Sequence, residues 1–295
     1  MSVVEVQVSD AVKTRTEFAK LFTFDVLDEG VFEAAARTQV REHAFGGAIA
    51  AQALVAAART VSTDRAVHSV HCHFLRAGDT TAPTKLVVTS LRDGRSYSTR
   101  SVIAEQHGKP IFAMTAAFHV EEEGWEHQTA VMESPDPESL PTLRDRGESI
   151  GGKGGEWLTR LADAHALDVR FGENLPRDGN RDPSMSFWFR CLEDLHGDNI
   201  LHAGVMLYVS DLMMLSTALR PHEYEPGGRK SDNASLDHAV WIHQTPRADE
   251  WLRYEMAGPW AGRGRALVDG RIFNREGTLI ATVVQEGMAR LRPEF

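Results

Sequence analysis

One pattern occurs twice in this chain and limits its fold more than any composition figure does: an apolar helix of small and aliphatic residues, accompanied by a run of strands. The first copy begins with FGGAIAAQALVAAART at 45–60, alanine-rich behind a Gly-Gly start, and continues with β-rich runs near 67–76, 84–92, 96–106 and 110–120. This order predicts a long helix feeding an antiparallel meander. The second copy has strands at ALDVRF (166–171) and MSFWFRCL (185–192), a helix at HAGVMLYVSDLMMLSTAL (202–219), and strands near 234–243, 251–257, 264–273 and 278–290. Between them the composition turns acidic and rich in proline and glycine (EEEGWEHQ, ESPDPESLP, GESIGGKGG), which predicts an interdomain linker with one short helix at 155–163.

The copies can be aligned. HAFGGAIAAQAL from His43 matches HAGVMLYVSDLM from His202 with an offset of 159, which places Gln52 on Asp211. The turns HGKP and REGT match on Gly108 and Gly277 with an offset of 169, which places Ala116 opposite Gln285; the ten-residue difference is loop. A length of 295 residues suits one large core or two ordinary ones. The expected architecture is α+β, two tandem domains in which a curled antiparallel sheet wraps a long buried helix: the hotdog arrangement, doubled. The expected domains are 1–125 and 166–295, with a linker at 126–165.

Charge and cysteine content narrow the partners. With 42 acidic and 32 basic residues the net charge is −10, which disfavours nucleic acid and acidic membrane as partners while leaving room for a local basic pocket. Cys72 and Cys191 are too few and too distant for a disulfide framework and read as buried thiols. No basic start with a long apolar run opens the chain, LRPEF matches no common targeting tripeptide, and no window approaches about 18 uninterrupted apolar residues. The expectation is a cytoplasmic protein without a membrane span.

Some polar residues stand where apolar ones belong. The second helix is apolar on nearly every side, yet Asp211 sits within it. An ionised carboxylate in such a place costs several kcal/mol, roughly, unless partners satisfy it. Chemistry, a structural hydrogen bond, or a narrow solvent or interface edge beside Ser210 each account for it. In LIATVVQEGMARL alternation puts Leu279, Ala281, Val283, Gln285 and Gly287 on one strand face, so Gln285 is either a satisfied core amide or a donor aimed at a ligand. Ser235, entering the strand SLDHAVWIH, reads by itself as a turn residue.

Other motifs are set aside. GESIG (147–151) follows charged residues, not an apolar strand, so it does not make a nucleophile elbow. The overlapping GESIGGKG has Gly154 where a phosphate-binding loop needs Ser or Thr, and reads as flexible linker. His71 and His73 share a strand face near His68, with no Cys or carboxylate at ligand spacing, so no metal site is expected.

The ordered segments FGGAIAAQAL, VHCHFLRAGD, LRDGRSYSTRSVIAEQHGKPIF, ALDVRF, LHAGVMLYVSDL, SLDHAVWIH and VVQEGMAR together resemble the acyl-CoA thioesterase II family, the double-hotdog thioesterases, over about residues 15 to 291. The resemblance implies a catalytic trio of Asp211, Ser235 and Gln285, with serine where the family usually has threonine. Ala48 stands where the family commonly has glutamine. It implies hydrolysis of acyl-CoA to free fatty acid and coenzyme A without a covalent intermediate or added cofactor. Asp211 would activate a water that Ser235 and Gln285 orient. Oxyanion donors are expected at a helix N-terminus, around Ala203 and Gly204 or Gly46 and Gly47. Arg92, Arg95, Arg100, Arg263 and Arg265 are candidate ligands for coenzyme A phosphates, or else exposed strand-edge charges. A homodimer or homotetramer is carried over from the family. Two rival functions are a hotdog enoyl-CoA hydratase and a non-catalytic acyl-CoA binding or sensing module. The hydratase pairs an Asp with a nearby His, whereas here Asp211 is followed by LMMLSTALR and the next histidine is His222.

Overall fold

The computed structural model describes residues 17–36, 45–129, 131, 133–164, 166–172, 181–222 and 231–291. His43, used above to align the copies, lies outside them. In the first half a short helix α1 (Phe18–Leu21) and a hairpin of β1 (Asp25–Asp28) and β2 (Val31–Ala34) precede α2 (Gly46–Ala58), β3 (Arg65–Phe74), β4 (Thr84–Asp93), β5 (Tyr97–Gln106) and β6 (Lys109–Val120). The second half has β7 (Leu167–Phe171), β8 (Ser184–Cys191), α5 (Asn199–Ser210), α6 (Met214–Leu219), β9 (Ser231–Ser235), β10 (Asp237–Ile242), β11 (Leu252–Gly262), β12 (Arg265–Asn274) and β13 (Leu279–Leu291). Between the halves lie α3 (Leu143–Ile150) and α4 (Gly152–Ala164).

The α+β class and the wrapped helices follow the sequence expectation, and the sheets add something to it. Among the described residues all strands join in one 13-stranded antiparallel sheet, ordered β1-β2-β4-β5-β6-β3-β10-β13-β12-β11-β8-β7, with β9 also on β13. Counted outward from the β3–β10 junction, the two halves have the same strand sequence, β6-β5-β4-β2-β1 and β13-β12-β11-β8-β7. Each half alone would leave an open edge of unpaired N–H and C=O groups; pairing β3 with β10 removes both edges. Helix α2 packs against β3 to β6, α6 against β11 to β13, and α2 against α5.

The register fixes which residues correspond. Gly108 and Gly277 turn the β5–β6 and β12–β13 connections with φ of 70° and 87°, a region that glycine occupies at little cost. Eight residues on, Ala116 and Gln285 face inward from β6 and β13. Val70 is paired with Ala116. Its counterpart on β10 is His238: Val70 pairs with Val240 and Cys72 with His238, a symmetric exchange about the junction. Along β13 the burial alternates through Ala281, Val283, Gln285 and Gly287 as expected; Leu279 falls out of phase because a register shift against β12 buries Ile280 in its place.

Two sequence readings need correction. The segment read as a linker with one short helix at 155–163 holds two: α4 covers the expected one, and α3 precedes it in place of the flexible chain expected there. Thr142 and Asp145 form a capping box that starts α3. Its glycines let the helices touch: a Cβ on Gly155 would lie 2.1 Å from the Gly147 carbonyl oxygen. The segment is also tied to the second half, with Gln128 bonded to Gly277 and Leu279 and Glu138 accepting from Trp251. Second, the run 202–219 is expected as a single helix; the stretch Asn199–His222 that contains it is, by length and mean hydropathy, apolar enough to cross a membrane, but two-thirds of its apolar window is buried inside the protein. It is also not one helix: α5 ends at Ser210 and α6 starts at Met214. Cys72 and Cys191 are free, buried thiols, as expected.

Candidate active site

The break between α5 and α6 places the carboxylate. Helix α5 is capped at its start by Asp198, whose side chain accepts from the N–H groups of Ile200 and Leu201. It is buried all round from His202 to Ser210, and Asp211 is its C-cap residue. The chain then tightens, Leu212 N–H bonding to the Val209 carbonyl at 2.8 Å, and Met213 takes a left-handed φ of 66°. For a residue with a Cβ that conformation costs about 1–2 kcal/mol. The same point in α2 is Gln52, in an unbroken helix, its amide spent on the Leu21 carbonyl.

At the break Asp211, 9% exposed, receives donors from both halves of the protein. Its Oδ2 accepts the Gly47 N–H at 2.8 Å, from the first turn of α2, where the helix dipole favours an anion. Glycine is required there: a Cβ on Gly46 would lie 2.6 Å from Phe74 Cε1 and 2.9 Å from Asp211 Oδ2, and one on Gly47 2.5 Å from the Tyr208 carbonyl oxygen. The Ser235 hydroxyl donates to Asp211 Oδ1 at 3.2 Å, and Gln285 Nε2 donates to Ser235 Oγ at 3.0 Å. Ser235 owes its position to a bulge: it pairs with Gly287, while Ala239 pairs with Val284, so one extra residue lies on the β9–β10 side. The three residues named from the resemblance therefore meet, from α5, β9 and β13.

Sequence reasoning missed the polar groups behind them. His238, 1% exposed, has Nδ1 2.6 Å from Gln285 Oε1 and Nε2 2.7 Å from Ser210 Oγ. Burial draws its pKa down to about 4, against weaker upward pulls from the Gln285 hydrogen bond and Asp237, so the ring is neutral at pH 7. Tyr254 donates to the Ser210 carbonyl at 2.8 Å, and burial raises its pKa, as burial and Asp211 raise that of Cys72. The signal for His238 was present: alternation in SLDHAVWIH puts it on the face of Val240 and Ile242, both buried.

The other site candidates divide. Gly46 and Gly47 do open a helix beside Asp211. Ala203 and Gly204 do not open one: α5 starts four residues before Ala203, so their amides belong to its internal ladder. Arg92, Arg95 and Arg100 fall on the β4–β5 hairpin, Arg263 and Arg265 on the β11–β12 hairpin, corresponding places in the two halves. Arg100 is buried and its guanidinium is spent on Thr60, Arg92, Thr99 and Asp93, so it serves the hairpin and not a phosphate. Arg92, Arg95 and Arg263 are exposed. Arg265 pairs with Glu286 at 3.5 Å and lies over the Trp260 ring. His71 packs edge-on against Trp241 on the outer face of the sheet.

Comparison with known proteins bears on the whole arrangement. The family model for the acyl-CoA thioesterase N-terminal domain matches residues 34–119, and that for the acyl-CoA thioesterase C-terminal domain matches residues 136–289. Human acyl-coenzyme A thioesterase 8 is 38% identical over 286 residues, covering 93% of this chain and 89% of that protein. The crystal structure of an acyl-CoA thioesterase II from Mycobacterium marinum superposes with a TM-score of 0.77 at 36% identity, covering 94% of this chain and 98% of that one. A hot dog fold protein from Alicyclobacillus acidocaldarius shares the fold, with a TM-score of 0.72 at 18% identity, covering 94% and 98%. The chain belongs to the acyl-CoA thioesterase family, in its type II, double-hotdog form.

Proposed function

We propose that the protein hydrolyses acyl-CoA thioesters to free acid and coenzyme A, with Asp211 as general base and Ser235 and Gln285 as its partners. The observation that carries this reading is the hydrogen-bonded series Gln285, Ser235, Asp211, assembled from three separate elements at one buried point. Asp211 takes a proton from water as the water oxygen bonds to the thioester carbonyl carbon. Gln285 Nε2 has two N–H groups; one is on Ser235, and the other is directed to the water. The N–H of Gly46, first residue of α2, is the donor for the carbonyl oxygen as it gains charge. Collapse breaks the C–S bond, and the proton held by Asp211 passes to the departing thiolate. Only water and these side chains are needed, because a thioester is already activated.

Phe45, Phe74 and Leu215 are half-buried apolar side chains around this point, Phe74 against Gly46 and Leu215 against Gly287, and supply surface for the acyl chain. The test is release of free thiol from a chain-length series of acyl-CoAs by wild type, Asp211→Asn and Gln285→Ala. Wild type is expected to hydrolyse at least one member, and both folded variants to lose at least about 100-fold in kcat, in the range typical for general-base catalysis. Thiol release by Asp211→Asn at the wild-type rate would remove the aspartate from the mechanism. Binding of acyl-CoA by wild type with no hydrolysis would favour a binding module.

A further inference from the structure

The proton positions around Gln285 can be worked out by requiring that each contact in the series from Asp211 through Ser235 and Gln285 to His238 be a donor facing an acceptor. Asp211 only accepts, so the Ser235 proton lies on Oδ1. Ser235 Oγ must then accept from the Gln285 amide nitrogen, which turns Gln285 Oε1 toward His238 Nδ1 at 2.6 Å. An acceptor at that distance requires a proton on Nδ1. A neutral ring with Nδ1–H has a bare Nε2, so the Ser210 hydroxyl turns its one proton from the Leu207 carbonyl, 2.8 Å away, to Nε2 at 2.7 Å. Each group thus donates one step toward the carboxylate: Ser210, His238, Gln285, Ser235, Asp211. With the amide reversed, Gln285 Oε1 and Asp211 Oδ1 would compete for the single Ser235 proton, and one of them would face a lone pair.

The geometry points to His238, held by Ser210, as a positioning residue for the hydrolysis: its Nδ1–H locks the Gln285 amide with N–H groups toward Ser235 and the attacking water. The inference rests on the role given to Gln285 above. The other half of the chain supplies an internal comparison. There the positions of Asp211, Gln285 and His238 are held by Gln52, Ala116 and Val70, so the imidazole is absent where the amide it would orient is absent. A histidine kept merely to fill the β3–β10 junction would have no reason to follow the amide. Protonation does not disturb the arrangement near neutrality, since burial keeps the ring uncharged.

The experiment measures kcat and KM for the acyl-CoA that wild type hydrolyses best, in His238→Val and His238→Asn, each with and without Gln285→Ala. Valine is the residue the fold already accepts at the corresponding place, and asparagine can present an N–H near the position of Nδ1. His238→Val is expected to lose about 10- to 100-fold in kcat with KM little changed, and His238→Asn to recover most of that loss. In the Gln285→Ala background His238→Val should cost nothing further, because the group it orients is gone. If His238→Val does not fold, Ser210→Ala is measured instead; it frees the ring to take the other tautomer, and a several-fold drop in kcat is expected. Wild-type kcat in His238→Val or in Ser210→Ala, or an undiminished loss in the Gln285→Ala background, overturns the inference while leaving the roles of Asp211 and Gln285 intact. A wild-type rate in Gln285→Ala alone overturns both.

Discussion

At the scale of the residue, the site uses burial to fix the protonation of one group and hydrogen bonds to orient the others. His238 is the clearest case. Its pKa falls from 6.5 to about 4 on folding, so the unfolded chain binds a proton at higher pH than the folded one. The stability tied to the neutral ring is complete above about pH 6.5 and is lost as the pH falls toward 4. The shift corresponds to roughly 3 kcal/mol. Denaturant titrations of wild type and His238→Asn between these limits should show the wild-type stability falling more steeply with acid. Parallel curves would mean that the ring is protonated in the folded state or is solvated.

At the scale of the element, the site is a junction of helix ends. The break after α5 brings Asp211 out of the helical ladder, and the first turn of α2 meets it with the Gly47 N–H. The approach is close because neither Gly46 nor Gly47 has a side chain. In Gly47→Ala the new methyl would meet the Tyr208 carbonyl at 2.5 Å and the Phe45 ring at 2.6 Å. Backbone does not yield as a flexible side chain does, so α2 must retreat. Gly47→Ala should cost about 1–3 kcal/mol of stability, read as a lower denaturant midpoint, and should lower kcat as well. An unchanged midpoint would show that the helices have more freedom to slide than this packing allows.

At the scale of the whole molecule, the halves are coupled at several points, among them the β3–β10 pairing, the α2–α5 packing, and the Gly47 to Asp211 hydrogen bond. The side chains proposed for catalysis lie in the second half, yet the hydrogen bonds to the Asp211 carboxylate are completed from the first. Two lobes with a common sheet and a common helix interface should unfold together. Calorimetry is expected to give one transition whose calorimetric and van't Hoff enthalpies agree. Two resolved transitions would mean that the junction yields before the cores do, and that each half is stable with its junction strand exposed.

Periodicity and offset alone were enough for much of this protein. The helix-and-meander pattern marked both halves, the glycine turns at Gly108 and Gly277 set their register, and alternation along β13 turned Gln285 inward, because local backbone geometry dictates spacing along the chain. The trio Asp211, Ser235 and Gln285 was named by resemblance, since nothing in a serine before a strand reveals what it will touch. What could not be read locally depends on contacts between distant segments. The helix break at Met213 has no breaker in its sequence, DLMMLS, and exists because tertiary packing outweighs a left-handed backbone. The fusion of two sheets into one, the loss of Arg100 to Thr60 just after α2, and the placement of Gly47 on Asp211 were likewise decided by folding. Each joins groups far apart in the chain, and only a packed interior determines which of many compatible donors and acceptors come within hydrogen-bond reach.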